Sequence, residues 1–219
     1  KHALPMLRRD FTVNPEKALA SARLYVTSRG IYDCRINGRE VTETVLNPGN
    51  TQYDKRILYQ TYDVTGLLCP GRNAVGVTLG SGWWSDAQTF VVKNYHYYGD
   101  RNSLLARLEV RYADGTADAF VTSPGEWDCL EEGPYTYAGL FQGEHLDRRK
   151  LDVYERFSLP GFEAEGLRKA VEIVPDSIAE TWTVPAGFGK PWPRLDHSNP
   201  LLTGCFHAPV AEVGRLRAK

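Results

Sequence analysis

The pair Asn37-Gly38 constrains this chain more than any other feature, because it sits between two segments whose apolar residues alternate. Leu24 and Val26 share one face of the preceding run, and Tyr32, Cys34 and Ile36 continue at period two, the spacing of a half-buried strand. Asn-Gly is the strongest short-range hairpin signal, since both central residues of a type I′ turn need positive φ. Residues 31 to 45 are therefore expected to form a hairpin. The same logic applies at Asp114-Gly115, where Leu104, Ala106, Leu108, Val110 and Tyr112 lead into the turn and Ala117, Ala119 and Val121 leave it. Between the two, the stretch from Asp63 reads as a short capped turn at Thr65, Pro70-Gly71 as a break, and Val75, Val77 and Leu79 as another strand. No long helical period interrupts these signals. The expected fold is all-β: a jelly-roll-like two-sheet β-sandwich followed by a Pro-rich extended C-terminal segment.

With 219 residues, one β-domain and trailing segments can bury a real core. A formal charge of −1 with mixed signs supplies no basic stripe for a nucleic-acid backbone. No apolar run reaches the roughly 18 to 20 residues of a membrane span, and the N-terminus shows no signal-peptide stretch. Cys34, Cys69, Cys129 and Cys205 are widely spaced, so free thiols are expected rather than a zinc site or disulfides. After about residue 150 the periodicity fades, and seven of the 13 prolines lie between Pro160 and Pro209. The expected organisation is an entering strand or linker over 1–20, a sandwich over 21–150 and an extended connector over 151–219. Such ends suit a piece of a larger protein.

The loop from Gly82 to Asn102 carries a possible site. It offers Trp83, Trp84, Phe90, Tyr95, Tyr97 and Tyr98 as ring platforms, and Asp86, Asn94, Asp100 and Asn102 as oxygen ligands. If the strand ending at Leu79-Gly80 continues, Trp83 faces the core and Trp84 the solvent. The Tyr95 to Tyr98 group suits packing on a neighbouring domain as well as ligand contact, and Asp100-Arg101 suits a local ion pair or turn. In the loop carrying Tyr53, Asp54 and Arg56, turn chemistry after Asn47-Pro48-Gly49 points to residues that fix the loop.

The runs ARLYVTSRGIYDCRINGREV, LNPGNTQYDKRILYQTYDVTGLLCPGRNAVGVTLGSGWW, YGDRNSLLARLEVRYADGT and QGEHLDRR, in that order, resemble the N-terminal β-sandwich domain of bacterial α-L-rhamnosidases of glycoside hydrolase family 78. The resemblance covers about residues 7 to 150. It implies a parent enzyme that hydrolyses terminal α-L-rhamnosides with inversion, using carboxylates of a large (α/α)6 barrel, and a chain here that lacks that barrel. Asp86, Asp100, Glu144 and Asp147 match no catalytic motif of the family, so no catalytic residue is carried over, and the segment from Gly143 to Arg148 is expected to anchor the last strand. The implied partners are the catalytic barrel and other β-domains of the parent chain, with neither nucleic acid nor membrane, in a periplasmic or extracellular setting. The implied function is that of a non-catalytic accessory domain which packs against and orients the barrel. An alternative is a carbohydrate-binding module for L-rhamnose or rhamnosides, whose 6-deoxy sugar presents a C–H face to a ring and hydroxyls to polar groups; its candidate residues are Trp84, Trp83, Asp86, Asn94, Tyr95, Tyr97, Tyr98, Asp100 and Asn102. One lineage of the family uses calcium in that role, but Ser81 stands here where relatives often carry Asp or Asn, which removes an oxygen ligand. No other cofactor is implied. A third reading, an autonomous glycosidase, requires two facing carboxylates in one cleft.

Overall fold

The computed structural model describes residues 4–53, 56–86 and 98–173. Among them the chain forms strands β1 (Met6–Val13), β2 (Leu19–Arg29), β3 (Ile31–Ile36), β4 (Arg39–Glu40), β5 (Gln60–Asp63), β6 (Gly71–Gly80), β7 (Ser103–Tyr112), β8 (Ala117–Val121), β9 (Asp128–Leu130), β10 (Tyr135–Gly139), β11 (Gly143–Leu146) and β12 (Arg168–Lys169). Two short helices, α1 (Gly82–Ser85) and α2 (Leu151–Arg156), complete the described elements apart from two 3-10 turns. One sheet runs β12-β9-β1-β6-β3-β4, a second runs β5-β2-β7-β8, and β10-β11 form a separate hairpin. The expected two-sheet sandwich is what forms. Its core lies between the sheets, where Phe11, Val13, Ile36, Val75, Val77 and Leu79 of one meet Leu24, Val26, Leu108, Val110 and Tyr112 of the other.

Both sequence-predicted hairpins are present, built by different turns. Asn37 and Gly38 have φ of 52° and 79°, as a type I′ turn requires. The Asn37 side chain also donates to the Leu67 carbonyl at 2.9 Å and to Asn73 Oδ1 at 2.8 Å, so the turn is tied to the chain entering β6. At the second hairpin only Gly115 has positive φ, at 83°. The Gly115 amide donates to the Tyr112 carbonyl and the Tyr112 amide to the Thr116 carbonyl, the pattern of a type I turn closed by a glycine bulge. Asp114 supports it by accepting from the Thr116 amide and hydroxyl, which helps hold its carboxyl down to about 2.

Both ends of the described chain join the sandwich. The entering segment contains β1, an interior strand paired with β6 on one side and β9 on the other. The start of the segment expected to be an extended connector is also folded onto the sandwich. Residues 151–167 cover the outer face of the larger sheet, burying Phe157 and Phe162 against Met6 and Leu130, and β12 then joins the sheet beside β9. Arg8, only 2% exposed, holds this cover: Nε donates to the Phe157 carbonyl at 3.0 Å and Nη2 to the Leu159 carbonyl at 3.0 Å and Asp10 at 2.7 Å. Gly76 makes room, since a Cβ there would lie 2.8 Å from the Ser158 Cβ. Tyr154 completes the contact by donating to Asp33 at 2.5 Å while its ring lies under the Arg35 guanidinium. Residues 174–219, with most of the Pro-rich stretch, lie outside the described residues.

Cys34, Cys69 and Cys129 are free thiols, and Cys205 lies outside the described residues. Burial raises the Cys34 thiol far above its usual range and Cys129 to about 11, whereas Cys69 is exposed. Only thiolate reacts at an appreciable rate. Among the three described thiols, alkylation followed by peptide mass spectrometry is expected to label Cys69 first and Cys34 only when the protein unfolds; equal rates at the two would contradict this packing.

Candidate functional site

At the end of β6 the chain meets Gly30, where a Cβ would collide with the Gly80 carbonyl. The strand does not continue past this point. Gly82, with φ of 52°, turns the chain into the single helical turn α1. A strand would place Trp83 and Trp84 on opposite faces, but the helical turn re-aims both, and the assignment made from strand alternation is reversed. Trp84 is the buried ring, 2% exposed, and Trp83 is the half-buried one at its rim.

Trp84 is enclosed on several sides. Tyr53 meets it edge-on at 5.6 Å between centroids, Tyr98 stacks at 6.2 Å with planes 17° apart, and the Arg29 guanidinium lies 5.1 Å from its ring. Its indole N–H donates to the Arg101 carbonyl at 3.0 Å. A Cβ on Gly99 would press into the indole, so glycine is required for this approach. Tyr53 is itself 1% exposed and donates to the Gly49 carbonyl at 3.1 Å, so the loop expected to be fixed by its own residues is also fixed from within. Asp54 lies outside the described residues.

Beside this aromatic knot opens a cleft of about 930 Å³. Asp86, 2% exposed, and Arg29, 3% exposed, lie among its lining residues. The Tyr137 hydroxyl of β10 sits 3.2 Å from Asp86 Oδ1 and 2.6 Å from the Gln142 side-chain amide. A phenol has one proton to give, so Gln142 Oε1, the nearer acceptor, and the Asp86 carboxylate compete for it. Gly139 lets the β10-β11 hairpin close on Asp86, because a Cβ there would collide with both Asp86 and the Tyr137 hydroxyl. Ser85 donates to Asn102 Oδ1 at 2.6 Å on the same wall, and Leu7, Leu104 and Trp127 supply apolar surface. Burial pulls the Arg29 guanidinium down to about 9, which leaves it cationic at neutral pH.

Of the sequence-predicted site residues, Asp86, Asp100 and Asn102 line the cleft, with Asp100 exposed. Among the described residues Asp100 and Arg101 make no ion pair with each other, and of the two local roles expected there the bend at Asp100 fits the turn. Trp83, Trp84 and Tyr98 belong to the knot. Asn94, Tyr95 and Tyr97 lie outside the described residues. Arg29, Tyr137 and Gln142 were missed; the one local signal was the polar run Thr27-Ser28-Arg29 closing a strand just before a glycine. The Asp147 carboxylate accepts backbone and arginine hydrogen bonds, but all of them come from Arg149 two residues on, whose Nε and Nη2 donate at 2.9 and 2.8 Å, so it caps the turn after β11. Among the described residues no three His, Cys, Asp or Glu side chains converge as a metal-holding group.

These features define a β-sandwich domain with an aromatic knot and an adjoining polar cleft. Residues 17–185 match the family model described as the alpha-L-rhamnosidase N-terminal domain, and the chain belongs to that family. An alpha-L-rhamnosidase of Streptomyces avermitilis is 38% identical over 201 residues, 90% of this chain and 19% of the relative; one from Formosa agariphila is 36% identical over 146 residues, 67% and 15%. Among solved structures, the S. avermitilis enzyme complexed with L-rhamnose superposes with a TM-score of 0.69 at 40% identity, over 77% of this chain and 16% of that one. Native α-L-rhamnosidase of Aspergillus terreus gives 0.70 at 35% identity, over 77% and 19%. The chain spans 14 to 19% of the length of the curated relatives it matches.

Proposed function

We propose that this domain is a non-catalytic accessory module of an α-L-rhamnosidase polypeptide that hydrolyses terminal α-L-rhamnosides with inversion, and that it packs against and orients the catalytic (α/α)6 barrel. The observation that carries this reading is the inward packing of the described aromatic residues. Tyr53, Trp84 and Tyr98 satisfy one another's faces and edges, so their rings serve the fold rather than a sugar. The Tyr137 hydroxyl lies between Asp86 and Gln142 at the wall of the cleft, an arrangement that anchors the hairpin.

A second reading rests on a separate observation. A buried carboxylate and a buried guanidinium share one cleft with an apolar wall, a combination suited to an uncharged polyhydroxylated ligand such as L-rhamnose. Isothermal titration calorimetry of the chain with L-rhamnose, with and without calcium and beside a glucose control, separates the two. The accessory reading expects no saturable heat at millimolar sugar. Saturable, rhamnose-selective heat that disappears in Asp86→Asn would replace it with the binding-module reading.

A further inference from the structure

We propose that the adjacent pair Val45 and Leu46 is the anchor by which this domain docks on a neighbouring domain of the same polypeptide, with both aliphatic side chains seated in an apolar pocket there. The inference rests on the accessory-module reading and assigns a surface to it. Val45 is 80% exposed and Leu46 42% exposed. A single exposed leucine is unremarkable on a protein surface. Here two aliphatic side chains are consecutive, and Leu46 also holds a φ of 61°, a left-handed conformation that branched and bulky residues avoid. The domain thus bears backbone strain at a residue whose side chain it leaves partly in water, beside one left largely in water.

The mount is firm. The Thr44 amide donates to Thr42 Oγ1 at 3.1 Å, and Asn47 Nδ2 donates to the Thr44 carbonyl at 2.8 Å and its hydroxyl at 3.0 Å. The Asn47 carbonyl accepts from the Tyr32 amide at 2.9 Å, which fastens the loop to β3, and Gln60 Nε2 donates to the Pro48 carbonyl at 3.1 Å. The loop is held on both sides of the exposed pair. A pre-ordered apolar protrusion loses little freedom when it is covered, so less of its contact energy is spent on ordering.

Size decides what covers it. Two side chains fall far short of the roughly 800 Å² per partner that stable association of separate chains buries. A domain tethered in the same polypeptide needs much less, because short linkers give effective concentrations in the millimolar range. The curated relatives supply such neighbours, since the matched chain accounts for 14 to 19% of their length.

Hydrogen–deuterium exchange by mass spectrometry, comparing the full-length polypeptide that carries this domain with the 219-residue chain alone, tests the proposal. Peptides spanning residues 41–47 are expected to exchange at least about tenfold more slowly in the full-length protein. A Val45→Ser/Leu46→Gly variant should lose that protection while the thermal midpoint of the chain alone is kept or raised, because glycine relieves the positive φ. Protection elsewhere on the domain with none at residues 41–47 would overturn the assignment of this surface but keep the accessory reading. No protection anywhere on the domain would overturn both. A dimer of the chain alone that disappears in the variant would make a second copy the occupant and overturn the proposal.

Discussion

Trp84→Ala is expected to lower the unfolding free energy by roughly 3 to 5 kcal/mol, the range for truncating a fully buried tryptophan, and to lower the thermal midpoint by on the order of 10 °C. Three losses combine. The faces of Tyr98 and Arg29 and the edge contact of Tyr53 lose the indole, the Arg101 carbonyl loses its donor, and the cavity cannot close because Gly99 and the Gly30-Gly80 contact fix the backbone around it. Trp84→Phe keeps most of the packing without the indole N–H and should cost about 1 to 3 kcal/mol. Trp83→Ala, at the half-buried rim, should cost less than Trp84→Ala. Urea unfolding of the three variants checks the order, and a Trp83 cost equal to that of Trp84 would contradict the knot. The functional consequence is direct: lost sugar binding in Trp84→Ala would report a damaged fold, and Asp86→Asn, at a buried hairpin contact, locates a ligand site when its urea midpoint is kept.

What the sequence made legible and what it hid divide by range. Asn37-Gly38 and Gly115 announced their hairpins because turn chemistry is local, a matter of which residues tolerate positive φ. The core faces of β3 and β7 were readable for the same reason, since period-two burial follows from the pleat, whereas β6 is covered on both faces. Trp84 was misassigned because its direction depends on α1, and α1 begins where Gly30 and Gly80 touch, 50 positions apart in the chain. The cleft was only partly visible because it joins Arg29, Asp86 and Tyr137 from three distant stretches, and no spacing rule relates them. Residues 151–167 looked like a connector because the period-two pattern fades there and the prolines begin, yet Phe157 and Phe162 meet Met6 and Leu130 on the outer face of the larger sheet. Arg8 sits on that same face, where a charged residue in an alternating strand reads as solvent-facing.

Arg8→Met should therefore destabilise the chain by about 2 to 4 kcal/mol, although a surface arginine in a strand would be nearly neutral to replace. Methionine preserves much of the aliphatic stem, so the loss isolates the guanidinium. That group satisfies two carbonyls, those of Phe157 and Leu159, at the point where the chain crosses the larger sheet, and it pairs with Asp10 at 2.7 Å. Removing it leaves the Phe157 and Leu159 carbonyls without this donor, one of them in a buried contact, and unsatisfied buried acceptors bear the full desolvation cost. Arg72 also pairs with Asp10, at 3.1 Å, but its side chain is 64% exposed, and Arg72→Met should cost no more than about 1 kcal/mol. The contrast between two arginines on one carboxylate makes the comparison informative. Hydrogen exchange adds a spatial readout: in Arg8→Met, peptides over residues 151–167 should open well before the β2-β7 pair, because the strap loses its tie while the inner core is untouched. Uniform acceleration across both regions would show instead that the strap and the sandwich unfold as one unit, and that Arg8 supports the whole domain rather than its outer cover.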